Sequence, residues 1–444
     1  MSDRAKFHLL CNACGAVIDG FAAWFSAGQR CPACGNGSAD VSYAAGPDAL
    51  ARLLDKTKPA VEGLWHYFDV LPLNDRANIV TAGEGLVPID EWEFLEDYAE
   101  RRFGLTCKVY AHRHDDNYAT GTFKDLSGSV VASVLKEIGI RDYVAASTGN
   151  IGVAFARYLN AAGVGLYAFI PENSSPAQEA EIAYFGQCVF RVKGDYTKAK
   201  EFALEFAERR RMPLAAGNFD PLRIEAKKVL LLEWLRLLDD VPTVYMQALS
   251  GGTGPLAIAK GWKDLSPLGI MPRMPRFLLV QSDRCSPMAD AWAEAKAKGF
   301  PVGWEKSYPI YQDPRTMIPT LATGYPKTYP ALSPLVRRSG GEIFAVAETE
   351  TVLMARLVAL KKSVRMGPAA AIVVGGFIKA LRRGDIRQGD VVMLNIGEGV
   401  RRAPEFMERM IPATRPVAAV DACGLADRAG LECRLWEAVE KAEL

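Results

Sequence analysis

From Cys107 to Ile396, short apolar runs alternate with longer stretches in which apolar positions recur every three or four residues. The runs Cys107–His112, Tyr143–Ala146, Leu166–Pro171, Cys188–Val192, Val244–Leu249, Phe277–Gln281, Phe344–Val346 and Val391–Ile396 read as strands. The stretches Leu126–Ile138, Val153–Ala162, Pro176–Phe185, Tyr196–Arg210 and Glu348–Leu360 read as helices. A long helix running to Leu238 and another starting at Leu256 join them. Strands that are apolar on both faces, separated by amphipathic helices, predict a parallel α/β sheet with helices on both sides. In such sheets ligands sit at the carboxyl ends of the strands.

Three junctions between an extended segment and a helix carry candidate chemistry. Thr120-Gly121-Thr122-Phe123-Lys124-Asp125 is a small hydroxyl-rich turn with one amine, opening a helix. Alone it reads as a capped helix with a surface lysine. Ser147-Thr148-Gly149-Asn150-Ile151-Gly152 and Ser250-Gly251-Gly252-Thr253-Gly254-Pro255 alter that reading. Both are small polar loops that place backbone N–H groups at a helix start, where a carboxylate or phosphate is held. A lysine turn beside two anion loops suits an aldehyde cofactor that bears a phosphate. Arg223 opens the long helix and can grip a substrate anion through two N–H groups, or simply be a surface arginine.

The N-terminal part has a different texture. Cys11-Asn12-Ala13-Cys14 and Cys31-Pro32-Ala33-Cys34 are two C-x-x-C pairs, and four thiolates suit a closed, structural zinc site. The metal would supply most of the folding energy of so small a ribbon. The intervening Val17 to Phe25 is expected to form a hairpin. The chain has nine cysteines, and the other five are scattered, which fits free thiols in a reducing compartment. Length (444 residues), 49% hydrophobic and 24% charged residues describe an ordinary globular chain of two or three domains. Net charge is +1, without a basic run, so no nucleic-acid or membrane partner is expected. The start Met1–Lys6 has no apolar leader, and no run reaches bilayer length, so a cytoplasmic protein is expected.

Taken together, the ribbon, Leu64-Trp65-His66-Tyr67, Gly83-Glu84-Gly85, Thr120 to Asp125, Ser147 to Gly152, Pro221 to Glu225 and Ser250 to Pro255 resemble the threonine synthase family of fold-type II, tryptophan-synthase-β-like pyridoxal-phosphate enzymes. The resemblance implies the two-domain fold of that group plus the N-terminal zinc ribbon. The expected parts are a zinc ribbon over 1–45, a large cofactor domain over 46–125 and 215–410, a small α/β domain over 126–214 and a helical appendage over 411–444. The resemblance also implies roles. Lys124 would bind the cofactor aldehyde and move the α-proton. Asn150 would contact the cofactor's 3′-oxygen, and Gly251, Gly252, Thr253 and Gly254 would cradle its phosphate. Ser147, Thr148 and Gly149 would take the substrate carboxylate, and Arg223 the substrate's own phosphate.

Several stretches depart from threonine synthase. Ile396-Gly397-Glu398-Gly399 lacks the hydroxyl that family places beside the pyridine nitrogen, leaving Asn395 and Glu398 as candidates, with Asn395 taken as a cofactor contact. Gln247-Ala248, Gly252-Thr253-Gly254, Pro287-Met288, Pro368-Ala369-Ala370 and Leu394-Asn395-Ile396 look like cysteate synthase. The expected reaction is therefore β-replacement on O-phospho-L-serine by sulfite, in a homodimer. The alternatives are threonine synthase, acting on O-phospho-L-homoserine with water, and a non-catalytic homologue that binds or regulates.

Overall fold

The computed structural model describes residues 5–59, 63–147, 149–172, 174–409, 428–442 and 444. The chain divides into two compact units, each assembled from separate stretches. The first comprises Met1–Val87, Asn117–Val241 and Gly251–Met274; the second comprises Pro88–Asp116, Pro242–Ser250 and Pro275–Leu444.

The first unit begins with strands β1 (Phe7–Cys11), β2 (Val17–Ile18) and β3 (Ala39–Tyr43), an antiparallel sheet in the order β2-β1-β3. Between Val17 and Phe25 the expected hairpin is replaced by the two residues of β2 and a helix, Gly20–Ser26. Phe21 and Trp24, three apart, both face inward, and a helical turn buries that pair where a strand would send them to opposite faces. The chain next adds β4 (Ile89–Glu91) and β5 (Lys108–Arg113) to the second unit, then returns to the first. There β6 (Asp142–Ala146), β7 (Gly165–Pro171) and β8 (Cys188–Val192) form a parallel three-stranded sheet. The helices Lys124–Glu137, Asn150–Ala162, Pro176–Tyr184, Tyr196–Arg210 and Pro221–Leu237 accompany it.

The helix Pro221–Leu237 is unusual because its charged residues are inside. Arg223, Glu225, Lys227, Lys228, Glu233 and Arg236 are all buried. Part of the compensation is an ion network with the helix Thr253–Leu265 and the ribbon. The Lys228 amine lies 2.6 Å from Glu225 and 3.1 Å from Asp264, and the Lys260 amine lies 3.2 Å from Glu225 and 2.5 Å from Asp264. The Tyr43 hydroxyl at the end of β3 donates to Glu225 Oε2 at 2.8 Å, and its ring lies 4.1 Å beneath the Lys228 amine. A buried ion cluster is tolerated only when each charge has such partners.

The aromatic segment Leu64–Tyr67 lies in a 3₁₀ helix, Gly63–Val70. Trp65 Nε1 donates to Ser129 Oγ at 2.9 Å and His66 Nε2 donates to the Leu53 carbonyl at 2.9 Å, so both rings are fixed structural parts.

The second unit is built on a six-stranded sheet. Strands β9 (Val244–Ala248), β10 (Arg276–Ser282), β11 (Glu342–Val346) and β12 (Val391–Ile396) complete it in the order β11-β10-β9-β12-β5-β4. All neighbours are parallel except β4 on β5, an antiparallel edge. The central strands are apolar on both faces, as parallel strands covered by helices must be. The helix Pro368–Arg383 is buried over most of its length against this sheet. Of the expected C-terminal appendage, 411–427 and 443 lie outside the described residues. The helix Arg428–Lys441 places Leu435 and Val439 in the core of this unit, and its Trp436 ring stacks on Tyr98 at 4.7 Å. No described helix is long and apolar enough to cross a membrane.

Candidate active site

Lys124 is the first residue of the helix Lys124–Glu137, and the turn before it is tied down on all sides. Thr120 and Thr122 share a hydroxyl–hydroxyl bond of 2.9 Å, the Thr120 N–H donates to Asp125 Oδ2 at 2.8 Å, and the Lys124 N–H donates to Thr122 Oγ1 at 3.1 Å. Asn117 braces the turn from behind, donating to the Thr122 carbonyl and accepting from the Gly85 N–H. The Gly83-Glu84-Gly85 motif thus supports the lysine turn. Glu84 is itself locked by the Tyr158 hydroxyl, which donates to it at 2.7 Å. The Lys124 amine stands 4.3 Å from the Phe123 ring centroid.

The second anion loop follows β6. Ser147 Oγ accepts from the N–H groups of Gly149 (3.0 Å) and Gly152 (2.9 Å) and donates to the Gly149 carbonyl at 3.1 Å. Its hydroxyl therefore shapes the loop from inside. Gly149 has φ +152°, and a Cβ there would overlap the Gln178 carboxamide, so both conformation and space demand glycine. Asn150 is buried and is the first residue of its helix. Thr148 lies outside the described residues.

The third loop follows β9. Gly252 has φ +79° and caps the helix Thr253–Leu265. The first N–H groups of the helix it opens have no intrahelical acceptor. A Cβ on Gly251 would overlap the Asn218 carboxamide, whose Oδ1 accepts from Thr253 Oγ1 at 2.7 Å. N–H groups free of intrahelical acceptors, on a glycine turn where Gly251 has no space for a Cβ, fit a phosphate, and a lysine opening a helix of the same unit fits the cofactor's aldehyde. Gly251→Ala is expected to push Asn218 off Thr253 and weaken cofactor binding about tenfold, the value of one hydrogen bond to a charged group. Titration of the apoenzyme with pyridoxal phosphate, followed by absorbance, measures this.

Arg223 is buried on the first turn of its helix. It donates to the Gly217 carbonyl at 2.7 Å, while its Nε has no hydrogen-bond partner among the described residues. The hydroxyl of Tyr143, also buried, has none either. Asp220 caps this helix by accepting from the Leu222 N–H at 3.0 Å. Burial raises its pKa, against the lowering effect of Arg223. Lys124, Asn150, Ser147, Gly149, Arg223 and Gly251–Gly254 all belong to the first unit.

Asn395 belongs to the second unit. It lies on β12 opposite His112 of β5, is 2% exposed, and neither atom of its amide has a hydrogen-bond partner among the described residues. Burial drives His112 down to about 3, so that ring is neutral. Glu398 accepts from the Ala369 N–H at 3.1 Å and so holds the N-terminus of the helix Pro368–Arg383. Cys285 is fully buried, and burial pushes its thiol up to about 12, which makes it inert.

The four ribbon sulfurs lie within 4.8 Å of one another, with Cys11 to Cys34 at 3.6 Å and Cys14 to Cys31 at 3.7 Å. Tetrahedral zinc with Zn–S near 2.3 Å sets sulfurs roughly 3.8 Å apart, so the cluster fits that ion.

Missing from the sequence reading were Lys227, Tyr143, Asn218 and Gln178. Each is polar and buried or braced against a loop, and only the packing of distant segments reveals them.

Comparison with known proteins gives the fold and the family. The solved structures of diaminopropionate ammonia lyase from Escherichia coli (TM-score 0.60, 14% identity, 77% of this chain and 91% of that one) and cysteine synthase from Entamoeba histolytica (TM-score 0.58, 12% identity, 81% and 94%) share the fold. The threonine synthase of Methanocaldococcus jannaschii is 27% identical over 350 residues, covering 78% of this chain and 82% of the relative. The cysteate synthase of Methanococcoides burtonii is 26% identical over 410 residues, covering 90% and 91%. The family described as "Pyridoxal-phosphate dependent enzyme" matches residues 86–397, a span that takes in the lysine turn, both anion loops and β12, and the chain belongs to that family.

Proposed function

We propose that this enzyme replaces phosphate on an O-phospho amino acid, converting O-phospho-L-serine and sulfite into L-cysteate and phosphate. The observation that carries the reading is Arg223, a buried guanidinium without a carboxylate within ion-pair distance among the described residues, in the unit that holds Lys124 and both anion loops. A buried cation in that condition is a receptor for an anion that arrives with the substrate. The extent of the match to a cysteate synthase, 90% of this chain, supports sulfite as the nucleophile.

Pyridoxal phosphate, when bound, supplies the electron sink that makes an α-proton removable and a β-substituent a leaving group. The chain supplies the rest. Lys124 Nζ takes the α-proton and later returns it. The loop at Ser147, Thr148 and Gly149 takes the substrate carboxylate, and Arg223 holds the phosphate until it departs. Gly251 to Gly254 would hold the cofactor phosphate and Asn150 its 3′-oxygen. Cys11, Cys14, Cys31 and Cys34 would hold a structural zinc ion that ties the ribbon together.

The threonine synthase from M. jannaschii, and others so named from mycobacteria, favour a second reading: γ-elimination of phosphate from O-phospho-L-homoserine followed by water addition, giving L-threonine. Purified holoenzyme given each phospho amino acid, with and without sulfite, separates the two when phosphate release and product mass are read together. Sulfite-dependent phosphate release with a product of cysteate mass supports the first reading. Threonine formed from phosphohomoserine replaces it with the second.

A further inference from the structure

Arg223 and Lys227 sit four apart on the helix Pro221–Leu237 and so share a face. Lys227 is fully buried. Its amine donates to Ser127 Oγ at 2.8 Å, and Ser127 lies one turn along from Lys124 on the facing helix. The Phe123 ring fixes the two amines relative to each other, with its centroid 4.3 Å from the Lys124 amine and 5.3 Å from that of Lys227. Among the described residues, no carboxylate lies within 4.0 Å of the Lys227 amine or the Arg223 guanidinium, unlike the amines of Lys228, the next residue, and of Lys260 on the helix Thr253–Leu265. The charged groups that act on Lys227 are Lys124, Arg223 and Asp220, two cations beyond itself against one carboxylate. Burial first, then Lys124 and Arg223, hold its amine well below the ordinary lysine range, and Asp220 opposes them only in part. A second buried cation with only a hydroxyl to bond is unfavourable in the empty site and becomes favourable once a dianion enters.

We propose that Lys227 is a direct substrate ligand and that its amine and the Arg223 guanidinium together bind the phosphate the substrate carries. The pair sets the specificity for a doubly charged leaving group. The inference rests on the reading above that the substrate is phosphorylated. The alternative role for Lys227 is a neutral strut that only bonds Ser127.

The test is calorimetric titration of holoenzyme with inorganic phosphate, comparing wild type with Lys227→Met, Lys227→Gln and Lys227→Arg. Thermal melts and cofactor absorbance verify that each variant is folded and loaded. Lys227→Gln keeps a donor for Ser127 and serves if Lys227→Met does not fold. Weakening of at least tenfold in the methionine or glutamine variant, with arginine close to wild type, supports the proposal. Equal phosphate affinity in wild type and a folded glutamine variant overturns it and leaves the proposed reaction standing. Lys227-dependent phosphate binding without turnover of either phospho amino acid keeps the proposal and discards that reaction. A wild-type enzyme that ignores phosphate discards both.

Discussion

Replacing Lys124 with alanine is expected to lower turnover by about three orders of magnitude and to remove the visible absorbance of the lysine-bound cofactor. The scale is that of losing a positioned proton-transfer group, and the nucleophilic amine goes with it. Stability should barely move. Lys124 is only partly buried at the first position of its helix, alanine is a good helix former, and the bonds between Thr120, Thr122 and Asp125 do not use its side chain. Phosphate release, an absorbance spectrum and a circular-dichroism melt on one preparation check all three statements. Turnover retained within tenfold would remove Lys124 from the mechanism.

Glu225→Ala is expected to be the most destabilising single change in the first unit. Its carboxylate holds the buried amines of Lys228 and Lys260 and the hydroxyl of the half-buried Tyr43 at once. Removing one member of a buried ion cluster costs about 3–5 kcal/mol, because its partners stay buried without it, which corresponds to a melting temperature roughly 10 °C lower. Tyr43→Phe deletes only the hydroxyl and should cost about 1.5–3 kcal/mol. The same cluster sets an acid limit. Burial raises the Asp264 pKa, but Lys228 and Lys260 outweigh it and hold the carboxyl below its ordinary value. A depressed folded pKa means the unfolded chain binds the proton more readily. The contribution is therefore complete above the ordinary carboxylate pKa and disappears as pH falls through the lower folded value. Melts between pH 7 and pH 3 should show a steeper loss for wild type than for Asp264→Asn. A Glu225→Ala protein that melts within 2 °C of wild type would mean, by the same scaling, that the cluster contributes little.

Regular elements were legible wherever the side-chain period was undisturbed. Cys188–Val192, Tyr196–Arg210 and Val391–Ile396 have the limits expected of them. Helix starts were placed too late. The helices expected from Val153 and Leu256 begin at Asn150 and Thr253, because Gly149 and Gly252, both at positive φ, already cap them. Polar residues that look like loop are the first helical turn, and that displacement matters because it is where the anion-facing N–H groups lie. The ribbon helix Gly20–Ser26 was read as a hairpin because two aromatic residues three apart are a weak periodic signal. The largest gap was Pro221–Leu237. A helix rich in lysine, arginine and glutamate normally presents those charges to water. Here the counter-charges come from Lys260 and Asp264 and a hydrogen bond from Tyr43, all distant in sequence, so no local pattern identifies Lys227 or Glu225 as interior. Asn218 and Tyr143 were hidden for the same reason, since their importance comes from the loops they brace or face.

The strand order of the large sheet has a consequence for synthesis. β12, the last strand among the described residues, lies between β9 and β5 and joins the two halves of the sheet. At about 5–20 residues per second, β5 leaves the ribosome roughly 15–55 s before its parallel neighbour exists. During that interval β5 and β9 each present a bare hydrogen-bonding edge. A transcript cut short before Val391 would yield a nascent chain with those edges permanently open, and aggregation in the cell, more than loss of catalysis, would be the first sign of such a truncation.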